Sequence, residues 1–222
     1  MKFLGNIYAT ALSCSPDSML SGAVVDEMGV ASHMLNRLRT AYQAANVYPW
    51  EPMHCLGYPT EVVLAGGALR SWFLEGRKAN DLDYWVHVPP HYVTTGEDGS
   101  SELTGTFYDK FMQCFEGAAT VHVLGDKQYH QRGMLKVVEV TLEGHPPVQI
   151  IFYSREGGLL ELLHGFSDNL STQAMLYSEV SPVVVALETS LLYQVHVNQD
   201  TKALQFTFEE ADDYSKQIDR LR

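Results

Sequence analysis

The chain of 222 residues is 45% apolar and carries 15 basic against 27 acidic residues, which gives a net charge of -12. This length and apolar content are enough for one domain with its own hydrophobic core. The acidic balance argues against a protein whose main activity is to grip long nucleic acid through its phosphates, although it is compatible with a local basic pocket.

The N-terminal stretch MKFLGNIYATALSCS lacks the pattern of a secretory signal, because Asn6, Tyr8 and Thr10 interrupt its apolar residues. No later stretch approaches the run of about eighteen apolar residues that a membrane helix needs. The cysteines are widely spaced and form no Cys-x-x-Cys pair, which indicates neither a disulfide framework nor a zinc site. We therefore expect a cytoplasmic protein with no membrane partner.

The next stretch is predicted to be helical. Apolar residues recur every three or four positions over 24–45, which predicts one helix, or two helices divided at Gly29. Prolines and aromatic residues then mark an irregular connection up to residue 60. Residues 1–60 are thus expected to form a helical segment that packs on the remainder, and this segment is a candidate for a homodimer contact.

The middle of the chain mixes short apolar runs typical of strands with amphipathic runs typical of helices. The predicted strands are 61–66, 81–88, 119–124, 133–142 and 147–153. The predicted helices are 68–76, 106–117 and 157–166. The polar stretch 89–105 is predicted to be a mobile loop.

The C-terminal part is less regular. Residues 181–197 fit a helix or a strand equally well, and 208–222 are predicted to be a helix. We find no internal repeats. The expected fold is therefore α/β (α+β), with a small mixed β-sheet and helices packed on it, over a single unit at 61–222.

Two acids interrupt an apolar strand. Asp81 and Asp83 have the same side-chain parity, so their carboxylates are expected to point to one face of the strand. Burying two like charges this close costs several kcal/mol unless a positive group lies between them. A divalent metal ion is one such group. The alternative is a solvated strand end that binds no metal.

The sequence around these acids resembles a known superfamily. An apolar strand, Gly66-Gly67, a helix and then Asp81-x-Asp83 in a strand is similar to the DNA polymerase β-like nucleotidyltransferases. AGGALRSWFLEGRKANDLDYWV in particular is similar to the head domain of CCA-adding enzymes and poly(A) polymerases. Residues 61–88 carry the best match, and the order of later elements extends it over about 60–222. The size also resembles minimal bacteriophage nucleotidyltransferases.

The resemblance implies a role for each matching residue. Gly66 and Gly67 would let the backbone approach the triphosphate of a nucleoside triphosphate (NTP). Asp81 and Asp83 would be catalytic and would hold Mg²⁺ or Mn²⁺. Arg70 would contact phosphate or brace the site.

The chain also departs from the superfamily pattern. Ser71 replaces the aspartate that follows the motif arginine, and Gln149 occupies the expected position of a third carboxylate. Glu139 would reach the same face as Gln149 if the two strands pair with these residues opposite each other. Either Glu139 or Asp168 substitutes, or the site has two acids, or the activity is lost.

The leading interpretation is a metal-dependent enzyme that transfers a nucleoside monophosphate to an acceptor hydroxyl and releases pyrophosphate. A small molecule, a nucleotide or a protein is favoured as acceptor over long nucleic acid. The rival interpretation is a catalytically degenerate protein that retains the fold and binds nucleotide or a partner. Trp85 is predicted to be a core aromatic or a surface for base stacking, and Lys216 and Arg220 could reach phosphate.

Overall fold

The computed structural model of the chain describes residues 7–11, 20–46, 54–55, 58–59, 61–73, 75–97, 99–116, 120–123, 133–141, 145–155, 157–166, 171–177 and 183–187. The helices in these ranges are α1 (Gly22–Ala45), α2 (Gly67–Phe73), α3 (Gly105–Gln113) and α4 (Gly158–His164). The strands are β1 (Ile7–Ala11), β2 (His54–Cys55), β3 (Tyr58–Pro59), β4 (Val62–Ala65), β5 (Leu82–His87), β6 (Val93–Thr95), β7 (Ser101–Leu103), β8 (Thr120–Val123), β9 (Met134–Thr141), β10 (Val148–Tyr153), β11 (Gln173–Leu176) and β12 (Val183–Leu187).

Eight strands form one mixed sheet in the order β1, β12, β11, β4, β5, β10, β9, β8. The central strands β5 and β10 pair in parallel, whereas the other neighbouring pairs in the described sheet are antiparallel. With four helices packed around it, this sheet confirms the predicted α/β (α+β) class.

Helix α1 is continuous. The side chain of Ser21 caps its N-terminus by accepting from Val24 N at 3.4 Å, and the N–H of Asn46 donates to Tyr42 O at its end. Gly29 does not divide it, so that alternative was wrong. A glycine costs about 1 kcal/mol in a helix interior. The buried face of α1, which includes Leu35 and Leu38, offsets this cost.

The sheet separates two apolar layers. Helices α1, α2 and α3 cover one face, where Leu82, Tyr84 and Val86 of β5 join the core. Helix α4 covers part of the other face, where Trp85 of β5 packs with Leu162. Because side chains alternate along a strand, Asp83 lies on this second face, the one that α4 covers.

Several elements differ from the expectations. Strands β1 and β11 extend the sheet where the sequence patterns indicated no strand, and β12 resolves part of the ambiguous stretch as strand. The predicted loop at 89–105 is wrong on either side of its centre, because β6 and β7 pair there as an antiparallel hairpin. The predicted helix at 208–222 lies outside the described residues, as do Lys216, Arg220 and Asp168. In the part of the chain that is described, we find no helix with the length and apolar character to cross a membrane.

Candidate active site

The two acids of the Asp-x-Asp motif lie at the start of β5. Asp81 precedes the strand and is exposed, whereas Asp83 is its second residue and is half-buried. The Oδ1 atom of Asp83 is enclosed by protein and accepts no hydrogen bond from any described residue. Burial, with a smaller effect from the charge of Asp81, raises the pKa of Asp83 to about 7. At Oδ1 the ionised carboxylate of Asp83 therefore has no partner among the described residues that would stabilise it.

The acid pair fits a divalent cation. Carboxylate oxygens suit Mg²⁺ and Mn²⁺, and a cation would satisfy the enclosed Oδ1 and cancel the repulsion between the two acids. Mg²⁺ is usually held by one or two carboxylates together with water and substrate phosphates. Among the described side chains, no group of three or more His, Cys, Asp or Glu is placed to hold one metal ion. The described site is thus a two-acid site.

Polar side chains form a row across three neighbouring strands. Gln149 of β10 lies beside Asp83 of β5, and Glu139 of β9 lies opposite Gln149. The register therefore places Glu139 on the same face as the acid pair, which was the condition for its proposed role. Strands lie about 4.8 Å apart, so Glu139 is about 10 Å from Asp83, with Gln149 between them.

The extent of the apolar layer under α4 explains why β5 and β10 each tolerate a polar residue on this face of the sheet. In β5 every residue is buried except Asp83, and in β10 every residue is buried except Gln149. Both exceptions are second residues, near the ends of their strands. Leu162 and Leu163 of α4 belong to the apolar layer farther along the same face. The polar row thus lies where the apolar cover ends.

A cavity of about 160 Å³ opens beside this row, which is enough for a small ligand group. Its lining residues are Asp83, Trp85, Met134, Gln149, Ile151, Arg155, Leu162, Gly165 and Phe166. The cavity has an apolar wall on the α4 side and polar groups at the strands. Such a combination is typical of small-molecule sites.

Arg155 gives the cavity a positive charge, and the sequence analysis missed it. It lies two residues after the end of β10, and its Nη1 donates to the carbonyl oxygen of Glu161 in α4 at 3.2 Å. The absence of a side chain at Gly165 lets the guanidinium of Arg155 lie close to the backbone there, because a Cβ on this residue would lie only 2.7 Å from Nη1. The available signal was a basic residue two positions after the strand expected to carry the third ligand.

Trp85 forms part of the cavity wall. It makes edge-to-face contacts with Phe166 at 5.5 Å and Tyr153 at 5.8 Å between ring centroids. Its Nε1 is buried and donates to no described residue. Trp85 is therefore a core aromatic, as the first prediction had it, and it also faces a cavity with an unused donor.

The glycine turn borders the same region. Gly66 has φ +93°, which favours glycine, and its N–H donates to Gln173 O at 3.2 Å. A Cβ on Gly66 would lie 3.4 Å from Phe166, whereas a Cβ on Gly67 would meet nothing within 4 Å. The turn thus leaves open space at Gly67.

Arg70 faces away from this cavity. Its side chain is buried, and its Nε lies 3.3 Å from Oε1 of Glu75, which also pairs with Arg77. Arg70 is absent from the cavity lining. This geometry favours bracing over phosphate contact.

His87 supports the backbone behind the cavity. Its Nε2 donates to the carbonyl oxygen of Arg155 at 2.9 Å. Burial lowers the pKa of His87, although this hydrogen bond acts in the opposite direction.

No protein-family model and no curated protein matches the sequence. Solved structures do match. A Thermotoga maritima CCA-adding enzyme complexed with tRNA aligns with a TM-score of 0.53 at 10% identity, over 96% of this chain and 40% of that one. A CCA-adding enzyme in an apo form aligns with a TM-score of 0.52 at 10% identity, over 96% and 41%.

The chain thus spans about two fifths of the length of the CCA-adding enzymes it matches. At this identity the likeness concerns the fold alone. It includes nearly the whole chain, which extends the resemblance beyond the motif at 61–88. Over nearly its whole length the chain therefore shares the fold of part of these CCA-adding enzymes.

Proposed function

We propose that the protein is a metal-dependent nucleotidyltransferase. The observation that carries the proposal is the enclosed Oδ1 of Asp83 beside Asp81, which accepts no hydrogen bond from the described residues, on a fold shared with CCA-adding enzymes. A divalent cation held by these acids would supply charge neutralisation for the triphosphate and would acidify the attacking hydroxyl. Asp81 and Asp83 are therefore its proposed ligands.

The surrounding residues have complementary roles in this proposal. The open space at Gly67 admits the triphosphate against the backbone, with Gly66 providing the turn. Arg155 neutralises phosphate charge from the opposite wall of the cavity. Arg70 braces the connection between α2 and β5 through Glu75. The acceptor oxygen bonds to the α-phosphorus, pyrophosphate leaves with the bonding electron pair, and the hydroxyl proton passes to water.

The test is a thermal-shift screen of the four NTPs with and without Mg²⁺ or Mn²⁺. A ligand at a hundred times its Kd adds about 2.7 kcal/mol of stability, which is about 5–10 °C for a chain of this size. The shift should disappear in the double variant Asp81→Asn/Asp83→Asn and persist in Asp26→Asn, an exposed aspartate on α1. No shift with any nucleotide and metal would refute the proposal.

The acceptor requires a second assay. Pyrophosphate release is measured with panels of small hydroxyl compounds, nucleotides and proteins, which the net charge of -12 favours. Because one of the matching enzymes was determined in complex with tRNA, tRNA belongs in the same panel. The panel that supports metal-dependent turnover identifies the acceptor class.

A second candidate function is nucleotide binding without catalysis. Gln149 favours it, because an amide beside Asp83 cannot act as a base and is at best a weak ligand. Metal-dependent binding of an NTP with no pyrophosphate release from any acceptor panel is the expected result for this candidate. Turnover would exclude it.

A further inference from the structure

A buried carboxylate on α1 accepts two hydrogen bonds. Glu27 is only 8% exposed and lies within the otherwise apolar face of the helix. Its Oε2 accepts from Trp72 Nε1 at 2.8 Å and from the backbone N–H of Ala79 at 2.7 Å. These lengths are typical of charge-assisted hydrogen bonds, which are stronger than neutral ones. The cost of burying this acid is therefore offset by the two hydrogen bonds that it accepts.

The two donors belong to the two halves of the glycine and aspartate motif. Trp72 lies in α2, the helix that follows the Gly66 turn, and Ala79 lies two residues before Asp81. Glu27 itself comes from α1, outside the motif. One oxygen atom thus ties both motif halves to a third element.

The connection that carries Asp81 has no regular structure, so its backbone hydrogen bonds determine its position. On one side of Asp81, Ala79 N–H is fixed by Glu27. On the other side, Leu82 N–H donates to Pro147 O at 2.9 Å, just before β10. Asp81 lies between these two anchors.

We infer that Glu27 is a positioning residue for Asp81, and this inference rests on the proposed function. By holding Ala79, Glu27 keeps the carboxylate of Asp81 at the distance from Asp83 at which both bind one cation. Glu27 does not line the cavity, and the hydrogen bond from Ala79 links it to the residues before Asp81, so it acts through the connection.

The structure offers a matched control. Tyr84 Oη donates to the carbonyl oxygen of Ala31 at 2.9 Å, another buried side-chain hydrogen bond between α1 and a neighbouring element. Tyr84 lies in β5 but on the face opposite Asp83. Tyr84→Phe therefore removes a comparable bond without releasing the connection before Asp81.

The experiment compares wild type with Glu27→Met, Glu27→Gln and Tyr84→Phe in the full chain. Met keeps the volume of Glu27 without an acceptor, whereas Gln keeps a carbonyl oxygen. Mn²⁺ affinity is measured by paramagnetic resonance titration, and hydrogen exchange is measured over residues 75–82. Glu27→Met should weaken Mn²⁺ binding about tenfold or more, as loss of a supporting residue commonly does, and should speed exchange over 75–82. Glu27→Gln and Tyr84→Phe should stay close to wild type in both readouts.

Equal weakening by Glu27→Met and Tyr84→Phe, or unchanged exchange over 75–82 in Glu27→Met, would overturn the inference. If Glu27→Met does not fold, hydrogen exchange in the wild type still tests the inference. The Ala79 amide, which donates to Glu27, must then exchange slowly. Fast exchange of this amide would overturn the inference. If the wild type binds no Mn²⁺, the proposed metal site fails. The exchange data then decide by themselves whether Glu27 positions the connection.

Discussion

Gln149 lies in direct register with Asp83, on the parallel neighbouring strand at the centre of the sheet. A carboxylate at this position would complete the acidic set that the superfamily pattern leads one to expect. Glu139 lies in register with Gln149 on its other side, one strand farther from Asp83. Among the described residues, the side chain at position 149 therefore decides whether a third acid lies directly beside Asp83.

Gln149→Glu should tighten Mn²⁺ binding by about tenfold, which corresponds to about 1.4 kcal/mol. The added carboxylate supplies a ligand next to Asp83. Without metal, Gln149→Glu should also lower the free energy of unfolding at pH 8, because the added carboxylate repels that of Asp83. Mn²⁺ titration and urea unfolding measure the two effects.

Glu139→Gln is the matched variant for this prediction. Because Glu139 lies two strands from Asp83, its loss should leave the Mn²⁺ affinity within about twofold, well under 1 kcal/mol. A large loss of affinity in Glu139→Gln would instead identify Glu139 as the third ligand.

The metal-free protein should become less stable as the pH rises from about 4 to about 7. The folded state raises the pKa of Asp83 from 3.8 to about 7, so in this range folded Asp83 retains a proton that the unfolded chain has lost. The stability contribution is present below pH 4 and is lost as the pH approaches 7. Asp83→Asn should remove this dependence and gain up to about 4 kcal/mol over wild type at pH 8.

Urea unfolding of both proteins across pH 4–8 checks this prediction. Asp81→Asn serves as the comparison, because it removes only the smaller cause of the raised pKa of Asp83 and should leave most of the pH dependence in place. Saturating Mn²⁺ at pH 8 should reverse the order of stability and make wild type more stable than Asp83→Asn. Parallel profiles for wild type and Asp83→Asn would show that Asp83 is not the group that titrates.

Substitution of the two turn glycines should separate stability from binding. Gly66→Ala places a side chain at φ +93° and should destabilise the fold by about 1–3 kcal/mol. Gly67→Ala meets no atom within 4 Å and begins α2, so stability should be unchanged or raised by up to about 1 kcal/mol. Its methyl group should nevertheless displace phosphate and abolish the metal-dependent NTP shift. A normal shift in Gly67→Ala would exclude this turn as the triphosphate site.

Gly165→Ala should weaken NTP binding by about tenfold, or about 1.4 kcal/mol. Its Cβ would lie 2.7 Å from Nη1 of Arg155 and must push the guanidinium aside. The cost in stability should be small, because the displaced atoms end a flexible side chain. Calorimetric titration with NTP and Mn²⁺ measures the affinity. Gly29→Ala is the control, since it adds a methyl group at an exposed position of α1 where nothing lies within 4 Å. Equal affinity in the two variants would remove Arg155 from the proposed phosphate contacts.

The strand and helix patterns around the motif were predictable because they are local. The apolar run before Gly66 and the alternation through Asp83 depend on neighbours in sequence, and the structure places β4, α2 and β5 there. The row of Asp83, Gln149 and Glu139 depends on strand register, which forms between distant segments. The sequence could therefore assign Glu139 to this face only on the condition that it pairs opposite Gln149.

Other features have no local signal at all. Strand β11 is buried throughout, so it lacks the alternation by which a half-exposed strand is recognised. Arg155 and Phe166 line the cavity only because α4 returns over β10. The continuity of α1 through Gly29 depends on its packing, which outweighs the intrinsic preference of glycine.

The parallel pairing of β5 with β10 also affects how the protein folds. These strands are joined through β6, β7, α3, β8 and β9, so their contact closes a long loop whose entropy must be lost first. Pairings of this kind form slowly and usually require the rest of the sheet. A partly folded chain with an intact glycine turn would therefore have no binding site. During refolding, metal-dependent nucleotide binding should return together with the slowest global phase and so report completion of the whole sheet.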